Sequence, residues 1–97
     1  MANRSVESFE WDEAKRESNL DKHGIDFLDA IHVFRDPLLR VEIDWREDFG
    51  EDRYRATGAA YGRLLVVIYT EHGEAVRIVS ARKATRHERR RHEEDSG

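Results

Sequence analysis

Between Arg77 and Arg91 the chain reads RIVSARKATRHERRR, with seven Lys or Arg residues and a single acid, Glu88. The protein as a whole has a formal net charge of −4, so this clustering of cations runs against the composition. Fixed positive charge suits phosphate chemistry, because the planar donor fork of a guanidinium matches phosphate oxygens. The segment begins as an apolar strand at Val76, Ile78 and Val79 and restarts at Thr85 as a helix, where Thr85 and Glu88 have capping-box spacing. Arg82 and Lys83 leave the strand just ahead of a helix start whose free N–H groups add partial positive charge. Together they form a candidate phosphate grip. In a regular strand, Arg77 and Val79 point away from the face that carries Ile78, Ser80 and Arg82.

Two smaller groups could act with this one. Lys22 and His23 end the first expected helix, and a histidine beside a lysine suits proton transfer at an anion. Their position also fits simple dipole complementarity at a helix C-terminus. Arg53 and Arg55 share one face of an expected strand and would extend a backbone-binding track, with Arg86 further along, while Tyr54 reads as core. His32, His72, His87 and His92 show no convergent spacing and accompany no HExxH pattern, so no metal site is expected. No GxGxxG, GKS/T or G-x-S-x-G motif is present, which removes support for nucleotide cofactors or a serine nucleophile. No cofactor is expected.

The elements that must position these residues follow from periodicity. Residues 1–8 lack pattern and read as a flexible tail, ahead of a single domain over 9–97. Phe9-Glu10-Trp11 is extended, Asp12 caps a helix from Glu13 to about Lys22, and Gly24 ends it. Asp26 caps a second helix, Phe27 to Phe34, with an apolar stripe of Phe27, Ala30, Ile31 and Phe34, and Asp36-Pro37 stops it. Leu39, Val41 and Ile43 then alternate with polar residues, marking a half-buried strand. A charged loop, Arg46 to Asp52, precedes a strand from Arg53 to Ala59. Leu64 to Tyr69 has no polar face and reads as a central strand; Ala75 to Ala81 follows after a short turn. The expected fold is α+β, with two N-terminal helices packed on a four-stranded, mainly antiparallel sheet, then a C-terminal helix from Arg86 to about Glu94. That last helix has almost no apolar residue, so burial alone cannot hold it.

With 97 residues, 38% hydrophobic and 39% charged, there is room for one core under a highly charged surface. The charge is unevenly spread: residues 1–52 hold 15 acids against 7 bases, residues 53–97 hold 6 against 10. A basic half suits a polyanion, and an acidic half suits a basic partner or simple solubility. The absence of Cys fits a reducing compartment, and the N-terminus lacks an apolar signal core, so a cytoplasmic protein away from membranes is expected.

Several short motifs in order, Phe9-Glu10-Trp11-Asp12-Glu13-Ala14-Lys15, Asn19 to Phe27, Phe34-Arg35-Asp36-Pro37, Gly62 to Val67 and Arg77 to Glu88, make the chain resemble the BrnT family of bacterial type II toxins. The resemblance implies a RelE-like fold and a ribonuclease that needs no metal. It also implies a BrnA-like ribbon-helix-helix antitoxin that neutralises the toxin and binds operator DNA for both. Carried onto this chain, it implies active-site cations at Arg82 and Arg53, with Lys22 and His23 nearby and Arg77 less central; Arg77, Lys83, Arg55 and Arg86 would serve RNA binding. Cleavage would run by attack of the ribose 2′-OH on the adjacent phosphate, with His23 moving the proton and the arginines holding charge. The basic surface offers no expected stacking aromatic, which suggests loose sequence preference. The rival reading is a binding module whose basic face docks nucleic acid or an acidic protein without cleaving it.

Overall fold

The computed structural model describes residues 8–44 and 52–96. Its elements are β1 (Phe9–Glu10), α1 (Glu13–His23), α2 (Phe27–Ala30) continuing as a 3-10 helix (Ile31–Arg35), β2 (Arg40–Ile43), β3 (Tyr54–Ala60), β4 (Arg63–His72), β5 (Ala75–Lys83) and α3 (Arg86–Ser96). The fold is α+β, but the sheet has five strands rather than four and is mixed, in the order β1-β5-β4-β3-β2. The extra strand is the aromatic piece at Phe9, which pairs parallel with β5 through Phe9–Val76 and Glu10–Arg77. Two residues carry too little alternation to read as a strand in isolation. Ser8 already accepts a hydrogen bond from the Val76 N–H, so the expected tail is anchored at its last residue. The rest of that tail, and the charged loop as far as residue 51, lie outside the described residues.

The first helical layer forms as its caps dictate. Asp12 accepts from the Ala14 and Lys15 N–H groups, Gly24 closes α1 at φ 71°, and Asp26 accepts from the Leu28 N–H. Arg16 donates twice to Asp26, at 2.8 and 3.0 Å, tying α1 to the start of α2. Those bonds, and then the Leu28 N–H, hold the Asp26 carboxyl below its ordinary value. The second helix was expected to run unbroken to Phe34, yet it tightens to 3-10 geometry from Ile31. The residues it buries fully are Phe27, Ala30 and Val33, a spacing of three that suits a 3-10 helix. Val33 can approach β3 because Gly58 has no side chain; a Cβ there would lie 3.0 Å from the Val33 carbonyl oxygen.

α1 is held by one buried polar residue. Asn19 donates to the carbonyls of Ile25 (2.9 Å) and Ala81 (2.8 Å) and accepts from the Ala81 N–H (3.0 Å). β1 is too short to reach Ala81, so the Asn19 amide takes the place of the missing strand and satisfies a buried backbone edge. Between this helical layer and the sheet lies the main core, built on Ile25, Phe27, Val33, Leu65, Val67, Tyr69, Ile78 and Ala81.

Leu65 to Thr70 of β4 are all buried, as expected for a central strand. Val66 and Ile68 face the opposite side, in a small cluster with Ala84, Leu64 and Val79. A bulge in β5 changes one expectation. Tyr69 pairs with Ile78 while Ile68 pairs with Ser80, so Val79 is the extra residue. Beyond it, Ala81 joins Ile78 in the main core, and Ser80 and Arg82 fall on the same side as Arg77 rather than opposite it.

Candidate active site

The sheet face away from α1 and α2 is charged. Arg40 and Glu42 of β2 pair with Thr57 and Arg55 of β3, and all four point to this side, opposite the core residue Ala56. α3 lies across them and contributes His87, Glu88, Arg91 and His92, residues at i, i+1, i+4 and i+5 that share one helix face. The two walls enclose a cleft of about 190 Å³.

The helix reaches this place through its N-terminal tether. The Ala84 N–H donates to the Leu64 carbonyl, and the capping box forms as read: Thr85 N–H to Glu88 at 2.8 Å, Glu88 N–H to Thr85 Oγ1 at 3.1 Å. Arg82 then grips Glu88 with two hydrogen bonds, 2.7 and 2.9 Å long. Those bonds, opposed by burial and aided by the Thr85 N–H, pull the Glu88 carboxyl from 4.5 down to about 2. Arg82 thus holds the carboxylate that orients α3.

Further along, Glu42 is shared by three arginines. Arg55 donates to it at 3.2 Å and Arg91 at 3.3 Å, and Arg40 stands 3.8 Å away. Arg40 also pairs with Asp95 near the end of α3. Ion pairs thus dock a helix that has little apolar surface to bury. His92 is only 8% exposed, and its Nδ1 is buried with no hydrogen-bond partner among the described residues. A buried imidazole nitrogen without a hydrogen-bond partner costs free energy.

Of the residues singled out in the sequence, Arg55 lines the cleft and Arg82 borders it through Glu88. Arg53 precedes β3, its carbonyl accepting from the Asp44 N–H, and by alternation shares the face of Arg55. Arg77 lies apart, paired at 3.1 Å with Glu10, which also meets His72. Arg86 is exposed at the start of α3, and Lys83 is exposed at the end of β5, opposite Leu65 on the helical side. Lys22 and His23 are exposed at the end of α1, on the other layer of the molecule. His23 and Arg82 therefore do not converge, because α1 docks on the main-core face through Asn19.

The histidines expected not to converge do so in part: His87 and His92 enter one cleft with Glu42 and three arginines. Their signal was the four-residue helical repeat 87, 88, 91, 92, a polar stripe that a search for apolar periodicity passes over. Among the described residues, no three His, Asp or Glu side chains are grouped to hold a metal ion. No described helix is long and apolar enough to cross a membrane.

No curated protein matches the chain. A family model does, over residues 11–88: that of the ribonuclease toxin BrnT of type II toxin-antitoxin systems. The matched span runs from the Trp11 anchor through strands β2 to β5 to Glu88, the carboxylate that orients α3. The chain belongs to the BrnT family of ribonuclease toxins.

Proposed function

We propose that the cleft between β2, β3 and α3 cleaves single-stranded RNA without a metal ion. In this reading a ribose 2′-OH attacks the adjacent phosphorus, its proton leaves to a base, and the departing 5′ oxygen takes a proton from an acid. His87 and His92 are the cleft groups whose imidazoles can accept or donate a proton. Arg40, Arg55 and Arg91 hold the charge that builds on the phosphoryl oxygens, exchanging Glu42 for the substrate. Arg82 positions α3, while Arg53 and Arg86 extend the contact to the RNA backbone; Lys83, on the helical side, does not face the cleft. Lys22 and His23 take no part in the chemistry, and the proton role first given to His23 passes to the α3 histidines. What supports the reading is one observation: two histidines stand among three arginines in a cleft of a ribonuclease-family chain. The antitoxin expected of a type II system is BrnA-like, a ribbon-helix-helix protein that carries the operator binding, and the pair acts in the cytoplasm.

Incubating the purified chain with single-stranded RNA in EDTA tests this. The expected result is cleavage that leaves a 2′,3′-cyclic phosphate, reduced about 10²- to 10⁴-fold in His92→Gln or His87→Gln and lost in Arg55→Ala. Tight, salt-sensitive binding with the RNA left intact would instead establish a binding module.

A further inference from the structure

The tip of the β3–β4 hairpin carries an outlier. Ala60 pairs with Arg63, leaving Tyr61 and Gly62 as a two-residue turn with φ of 53° and 77°. Positive φ at both central residues is type I′ geometry, which favours Asn, Asp or Gly at the first position. Tyrosine there is strained, since its Cβ crowds the backbone in the left-handed region. Burial does not compensate, because Tyr61 is 69% exposed, the most open of the large hydrophobic side chains described. Its ring meets His32 edge to face at a centroid distance of 5.1 Å, so one side is steadied while the rest faces solvent. Exposed Arg35, from the same 3-10 helix as His32, lines the same concavity with Pro37. Strain kept at an exposed aromatic points to a use for that aromatic.

The concavity adjoins, along the chain, a hollow that borders the cleft. Arg40 and His92 line both the cleft and a second hollow that continues over Leu38 and Leu39, and Leu38 follows Pro37 at the edge of the Tyr61 concavity. Three residues of β3, Gly58 to Ala60, lie between Thr57 in the cleft and Tyr61, four steps or about 13 Å of strand. We infer that Tyr61, steadied by His32 and flanked by Arg35, is a stacking platform for a nucleobase of the RNA strand whose phosphate occupies the cleft. The inference rests on the proposed RNA reading. It supplies the stacking aromatic that the sequence lacked on its basic segment, and stacking tolerates any base because each presents a π-face.

The test uses a short, fluorescently labelled 2′-O-methyl oligoribonucleotide, which cannot be cleaved, and reads its Kd by anisotropy. Tyr61→Asn relieves the turn, so the variant stays folded with a Tm equal to or above wild type. Its Kd is expected to rise about five- to a hundredfold, while Tyr61→Trp stays near wild type. An abasic site moved along the oligonucleotide should weaken wild-type binding at one position and leave Tyr61→Asn unaffected there. Binding by Tyr61→Asn within about twofold of wild type overturns the platform. So does retained RNA affinity with loss of antitoxin affinity, which marks a protein anchor instead. Wild type that binds the analogue, shows the Tyr61 dependence and leaves unmodified RNA intact refutes the cleavage reading while the platform stands. A wild-type chain that does not bind RNA overturns both.

Discussion

Replacing Glu88 by Gln isolates the charge that fixes α3 on the sheet. Gln keeps the capping-box hydrogen bonds to Thr85 but loses the ionic part of the grip by Arg82. The Glu88 carboxyl falls from 4.5 to about 2 on folding, which at 1.36 kcal/mol per pH unit corresponds to roughly 3 kcal/mol. The pair is partly solvated, with side chains 26% and 28% exposed, so screening reduces this to about 1–2 kcal/mol. For a domain of this size, Glu88→Gln should lower Tm at pH 7 by about 5–15 °C. The pH dependence has a definite sign. A carboxyl with a depressed folded-state value stabilises the fold above 4.5, and the stabilisation is lost as pH falls from there towards about 2. Wild type should therefore converge on Glu88→Gln between about pH 5 and pH 2. The assay is thermal unfolding followed by circular dichroism across that range. A variant within about 2 °C of wild type at pH 7, or a gap that stays constant on acidification, would refute the reasoning.

Asn19→Ala should cost about 3 kcal/mol in urea unfolding, because it strands the N–H and C=O of Ala81 in a buried layer; a loss below about 0.5 kcal/mol would mean that water replaces the amide. Gly58→Ala pushes a methyl group to 3.0 Å from the Val33 carbonyl and 3.2 Å from its Cβ. The expected cost is about 1–3 kcal/mol by the same method, and a neutral result would show that the 3-10 helix can move away from β3.

The helix caps, the central strand and the capping box were legible because each depends on residues within a turn or two of one another: Asp12 with Ala14, Gly24 at its own φ, Thr85 with Glu88. The family resemblance was legible for a related reason, since its motifs are short and ordered along the chain. Three features were not. Phe9–Glu10 becomes a strand only when β5 lies beside it, and Asn19 gains its role only because that strand stops short of Ala81. Arg77 and Arg82 share a face because of one bulged residue, Val79, whose position is set by pairing with β4 rather than by the composition of β5.

The candidate site divides along the same line. From the sequence came the chemistry: a cationic segment, a strand-to-helix junction, and histidines able to carry protons. Tertiary structure decided which of these meet. It turned Arg82 towards Glu88, placed Lys22 and His23 on the far layer, and folded a polar helix back onto β2 and β3, so that Glu42, from the acidic half of the chain, gathers Arg40, Arg55 and Arg91. Ion pairs between segments 49 residues apart, such as Arg91 with Glu42, leave no local pattern, because charge has no required period along the chain and its partners are chosen only when the sheet brings them within reach.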